Sequence, residues 1–235
     1  MTSSRTTVEE AWLIARKIVR AFVETPDYLH RFMTRNGTKL RLRVNGLTVL
    51  SDISPRLRGE PVSHAGGAFV YWRLPRAESW AEVKLGRLVG LKRYLCCWRT
   101  EPFWMKPEVG TDEAHVPAET QFLLVERKDG WFVLLVPLFG GGMRYAVEGG
   151  KEGLKLYGET NDPYRVSTGG LALYVGVGRE PYRLIEESAR IVSAKLGTGR
   201  LRREKPVPDF VEFFGWCTWD AFYKEVSDRK VVMGL

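Results

Sequence analysis

The sequence predicts a mainly β protein: an antiparallel sandwich, then a helix and linker, then an apolar strand with a short helix behind it. Three observations carry this. Apolar and charged residues alternate with period two from Thr38, short strand-like runs separated by Gly-rich turns continue to Gly178, and the spacing turns helical at Pro181.

Before the first alternation, Thr7–Glu24 has helical spacing. Thr7 and Glu10 form a capping-box pair, Val8, Trp12, Ala15, Val19 and Phe22 share a face, and Pro26 ends the run. Its β-branched residues leave a strand reading open. Leu40, Leu42 and Val44 then alternate with Lys39, Arg41 and Arg43, and Asn45-Gly46 turns the chain into Leu47 and Val49. Further strands are expected over 66–74, 86–99 as one long run, 119–127, 131–139 after the Asp129-Gly130 turn, 143–150, 153–160 and 169–178. From Pro181, Leu184, Ile185, Ala189, Val192 and Leu196 recur at helical spacing, and Gly197 stops them. The two prolines and basic run of 197–210 read as a linker, and VEFFGWCTWDAFY follows as an apolar strand running into a helix-like tail.

Composition narrows the function classes. With 44% hydrophobic and 27% charged residues the chain is globular. No apolar run reaches the roughly 20 residues of a membrane span, and the N-terminus lacks a basic-then-apolar leader, so a cytoplasmic, non-membrane protein is expected. Cys96, Cys97 and Cys217 give no disulfide framework, and neither CxxC nor paired-His spacing offers a metal site, so neither metal nor cofactor is expected. The net charge of +8 raises nucleic acid as a partner, but the only tight basic run is Arg200, Arg202, Arg203 and Lys205, and scattered surface charge is the simpler reading.

The chemistry concentrates near the end. Phe214-Gly215-Trp216-Cys217-Thr218-Trp219-Asp220-Ala221-Phe222-Tyr223 resembles the signature at the first barrel strand of glycoside hydrolase family 36, especially its raffinose-synthase-like branch, which also includes seed imbibition proteins and stands beside the α-galactosidases. LCCWRTEPFWMKPEVG (95–110), ETQFLLVE with the Trp131 strand and VPLF, and EPYRLIEESARIV are similar to family stretches in the same order. Phe103 departs from a Trp usual in that branch.

The resemblance implies an N-terminal β-supersandwich over about 1–180, a connecting helix and linker over 181–208, and over 209–235 the first strand and helix of a (β/α)8 barrel that is otherwise missing. It implies retaining hydrolysis or galactosyl transfer on α-galactosides, which takes two carboxylates about 5–5.5 Å apart. The family's nucleophile lies in a Lys-x-Asp motif, and no Lys in these 235 residues is followed by x-Asp. Only 15 residues follow Asp220, whereas a barrel takes about 250. The expectation is therefore an N-terminal portion, inactive alone, with a sugar substrate and a downstream polypeptide as partners and oligomerisation left open.

No residue is assigned a catalytic role. Trp219 is expected to lie against a pyranose, the competing reading being an aromatic that fills a domain seam. Asp220 either accepts a sugar hydroxyl or caps the following helix. Trp216 and Cys217 join the substrate-binding set but read first as core residues, since free Cys behaves as a small hydrophobe. Trp104 is expected on a loop before Pro107, where it walls the pocket. Trp12, Trp72, Trp80, Trp98 and Trp131 read as core or sheet-face residues, and Glu119 and Glu126 as a solvated strand face. The alternative to the enzyme reading is a non-catalytic β-domain for carbohydrate binding or protein contact, against which an apolar strand beyond a linker argues, because it would be an exposed edge.

Overall fold

The computed structural model describes residues 33–36, 39–62, 66–215 and 217–234. The expected helix over 7–24, with Trp12, lies outside these residues, as do Trp216, His30 and His64. The chain divides into two compact units, 1–192 and 193–235.

The first unit is mainly β, as the alternation predicts. Its strands are β1 (Met33–Asn36), β2 (Lys39–Val44), β3 (Leu47–Ile53), β4 (Leu57–Pro61), β5 (Gly67–Glu78), β6 (Trp80–Leu88), β7 (Leu91–Glu101), β8 (Trp104–Gly110), β9 (Thr120–Arg127), β10 (Phe132–Pro137), β11 (Phe139–Gly140), β12 (Met143–Glu148), β13 (Leu154–Glu159) and β14 (Ser167–Gly178). Every pairing among them is antiparallel. The main path runs β1-β2-β3-β6-β13-β12-β9-β10-β14-β5-β4, and β7 leaves it at β9 to carry β8. Although far apart on that path, β14 and β2 approach each other, so the sheet curls back over one core. Leu42 and Leu50 from one side meet Trp72, Leu173 and Val175 from the other in that core. Trp72 is fully buried, its ring 6.2 Å from that of Tyr145.

Asn45-Gly46 closes the β2–β3 hairpin with both residues at positive φ, as the dipeptide predicts. The run 86–99 departs from expectation, because it is not one strand. Gly90, at φ +76, breaks it, and the two pieces take different partners: β6 pairs with β3 and β13, β7 with β8 and β9. Apolar residues on both sides of the glycine hide the turn in the sequence. Leu57–Pro61 and Trp104–Gly110 are strands that the alternation did not mark.

Helix α1 (Pro181–Leu196) matches its expected bounds. Pro181 opens it, and the Glu180 carboxylate accepts from the backbone N–H groups of Tyr182 (3.1 Å) and Arg183 (2.6 Å). Its buried residues are Leu184 and Ser188, four apart, while Ala189 of the expected stripe is exposed. Both pack on β14, where a Cβ on Gly176 would lie 2.9 Å from Ser188 Oγ and 3.1 Å from Leu184 Cδ1. The glycine thus lets the helix approach the sheet. Gly176→Val is expected to cost about 1–3 kcal/mol through overpacking, read as a lower urea midpoint with an unchanged slope. A midpoint equal to the wild type would show that the helix is not held there.

In the second unit no strand appears among the described residues. Asp209–Glu212 is a 3-10 turn, helix α2 (Trp219–Phe222) follows, and helix α3 (Asp228–Gly234) closes the described chain. The strand expected near Glu212–Cys217 does not appear among the described residues there, which form the end of that turn and irregular backbone. A parallel strand takes its hydrogen bonds from neighbours on both sides, and within this unit the described residues supply none. No helix among the described residues is long and apolar enough to cross a membrane.

Candidate functional site

The FGWCTWD segment gathers apolar and aromatic side chains that the second unit does not bury. Phe210, Val211, Phe213 and Tyr223 are exposed, Phe214 is 96% exposed and Trp219 62%. The chain turns at Thr218, the N-cap position of α2, whose side chain makes no capping bond. Asp220 is the second helical residue, not the cap, and is exposed in the first turn. Trp219 and Tyr223, one turn apart, meet edge to face with centroids 6.3 Å apart. Tyr223, at φ +47, ends the helix in a conformation that non-glycine residues seldom adopt.

These two rings, with Phe222 and Lys224, border an open depression closed on its polar side by the Lys230–Glu225 ion pair at 3.2 Å. An aromatic wall beside a mixed-charge rim suits a ligand with apolar faces and hydroxyl edges. Sequence reasoning singled out Trp219 and Asp220 but not Tyr223, Glu225 or Lys230; the four-residue spacing of Trp219 and Tyr223 was the available signal. Cys217 is exposed and free, so it is not the small buried hydrophobe its residue type suggests.

Trp104 belongs to the first unit and is 59% exposed. It is not on a loop. It opens β8, opposite Glu101 of β7, in a hairpin whose outer strand, among the described residues, pairs with β7 alone. Pro107 fits there because an edge strand tolerates a residue without an N–H. Phe103, Met105 and Val109 are exposed alongside.

The carboxylates of the first unit can be tested for acid–base capacity. Glu119 does not lie on a solvated face. It accepts from Arg99 Nε at 3.0 Å, from both terminal nitrogens of Arg144 at 2.9 and 3.0 Å, and from the Tyr157 hydroxyl at 2.6 Å. Arg144 also pairs with Glu159. Burial alone would raise the Glu119 pKa, but the bonds from Arg144 and Tyr157 and the charges of Arg144 and Arg99 outweigh it and hold the group below its ordinary value. Burial, followed by the hydrogen bond to Glu119 and then its charge, pushes the Tyr157 phenol up. Glu119 and Glu159 thus share one guanidinium, and a carboxyl kept ionised in this way is a poor proton donor to a leaving group. Glu126 is likewise held ionised, by Lys92 and Arg93. Among the described residues no group of three or more His, Cys, Asp and Glu could hold a metal ion.

Comparison with known proteins places this geometry in context. Residues 35–235 match the family described as raffinose synthase or seed imbibition protein Sip1. A probable galactinol–sucrose galactosyltransferase 6 of Arabidopsis thaliana is 32% identical over 215 residues, covering 83% of this chain and 29% of that protein. The galactinol–sucrose galactosyltransferase of Pisum sativum is 33% identical over 174 residues, covering 72% of this chain and 22% of the relative. The stachyose synthase of Pisum sativum is 30% identical over 176 residues, 74% of this chain and 20% of that enzyme. The chain therefore spans less than a third of the length of these relatives.

Proposed function

Since the chain belongs to the raffinose synthase and seed imbibition protein family, we propose that it is the leading portion of an enzyme that transfers or hydrolyses α-linked galactose. The observation that carries this is the continuity of the family match from residue 35 through the FGWCTWD segment to residue 235. In this reading the curled sheet is the family's β-supersandwich, and the residues from 209 onward begin a (β/α)8 barrel that further polypeptide completes. The exposed run Phe210, Val211, Phe213 and Phe214 supports it, because contiguous exposed apolar surface marks an interaction site.

Trp219 then stacks on a galactosyl ring, and Asp220 orients a sugar hydroxyl by accepting from it. Trp216, Cys217 and Trp104 are the further candidates for sugar contact that the family resemblance suggests. The retaining carboxylate pair would come from the completing polypeptide. Galactinol and sucrose are the substrates to test first, on the strength of the relatives' names.

The test uses the chain joined to polypeptide covering the remaining length of such a relative. Trp219→Ala should raise KM for the galactosyl donor about tenfold, the loss of one stacking contact, while the thermal melt is unchanged. Kinetics identical to the parent would remove Trp219 from the substrate site. The non-catalytic reading predicts instead that no extended form turns over any α-galactoside.

A further inference from the structure

Sheet register sets four side chains in one row across four strands of the first unit. Phe139 of β11 opposes Arg144 of β12, Arg144 opposes Glu159 of β13, and Glu159 opposes Trp80 of β6. Directly opposed residues of antiparallel strands project to the same face. Along β12, Tyr145 and Val147 enter the core, so Arg144, which alternates with them, faces outward and takes the row with it. The row ends in two exposed rings, Trp80 at 53% and Phe139 at 62%. Neither ring stacks on another aromatic among the described residues. Between them stands the Arg144–Glu159 ion pair, in which Glu159 engages Arg144 through Oε1. Three strand spacings separate the outer rings, about 14 Å.

The order aromatic, acid, base, aromatic selects among ligand chemistries. A peptide adding to a sheet needs an unpaired edge, and this row runs across the strands through the interior of β12 and β13. A polyanion needs a surplus of cations, and here one guanidinium is shared by two carboxylates. A short chain of sugar rings satisfies all four groups. Its C–H faces lie on Trp80 and Phe139, and neighbouring hydroxyls of the intervening ring donate to the Glu159 carboxylate and accept from the Arg144 guanidinium. A single ring covers one aromatic, whereas an oligosaccharide spans both.

We propose that the outer face of β11, β12, β13 and β6 is an oligosaccharide-binding platform, with Trp80 and Phe139 as stacking surfaces and Glu159 with Arg144 as the hydroxyl partners between them. No bond is made or broken there. The site uses none of the residues of the FGWCTWD segment and stands independently of the galactosyl-transfer reading.

Calorimetric titration of the 235-residue chain with the trisaccharide raffinose tests it. Saturable binding is expected, with galactose at least about tenfold weaker because it reaches one ring only. Trp80→Ala and Phe139→Ala should each weaken raffinose binding by at least about tenfold, and Glu159→Gln by a smaller factor. The two aromatic side chains are exposed, so both variants should melt with the wild type, and either alone suffices if the other is destabilised. No saturable binding of raffinose by the wild-type chain, or equal binding by the Trp80 and Phe139 variants, would overturn the proposal.

Discussion

Arg144→Met is expected to destabilise the β-domain by roughly 2–4 kcal/mol, lowering its melting temperature by about 5–12 °C. Breaking a buried pair by removing one partner costs about 3–5 kcal/mol, because a charge is left without compensation. Some discount applies here: the Arg144 side chain is 15% exposed and Glu119 keeps Arg99 and Tyr157. Four parts of the sheet lose a common tie in this variant, since Arg99 comes from β7, Glu119 precedes β9, Arg144 is on β12, and Tyr157 and Glu159 are on β13.

The same variant should change the response to acid. The Glu119 pKa is depressed in the folded chain relative to its ordinary value of 4.5. Its contribution is therefore fully present above pH 4.5 and lost as pH falls below that value through the folded-state pKa. Melting temperatures recorded between pH 7 and pH 3 should fall more steeply in the wild type than in Arg144→Met, because removing the guanidinium removes much of the depression. Parallel curves would show that other carboxylates govern the acid limb.

This network is where sequence reading was weakest, and the reason is physical. Arg99, Glu119, Arg144, Tyr157 and Glu159 come from different strands, and only the order of the sheet brings them together. Local chemistry was legible where it acts locally. Asn45-Gly46 specifies its turn through positive φ, and Glu180-Pro181 starts α1 at the residue the spacing indicates. Gly90 defeated the reading of 86–99 because apolar residues continue on both sides of it. β8 went unmarked because both of its faces are largely exposed, which erases the alternation that identifies a half-buried strand. The run over 211–217 shows the converse, since apolar composition alone suggests a buried strand while its described side chains are exposed. At the candidate site, family resemblance pointed to Trp219 and Asp220, whereas Tyr223 and the Glu225–Lys230 pair emerged from the turn that follows α2.

The second large effect concerns turnover. A retaining transfer of galactose takes one carboxylate as nucleophile and one as acid/base, about 5–5.5 Å apart. In the described residues the clustered carboxylates Glu119 and Glu159 are bound by Arg144, and Glu126 by Lys92 and Arg93. If, as we propose, that pair comes from further polypeptide, the 235 residues alone have no covalent route, a deficit of many orders of magnitude. The most direct measurement compares the purified 235-residue chain with the same chain extended to the length of a galactinol–sucrose galactosyltransferase. Both are assayed for aryl α-galactoside hydrolysis and for galactosyl transfer from galactinol to sucrose. Background rates for the 235-residue chain and turnover for the extended one are the predicted result. Robust turnover by the 235 residues alone would contradict the account, placing the catalytic carboxylates among residues here assigned to sugar binding and sheet cohesion.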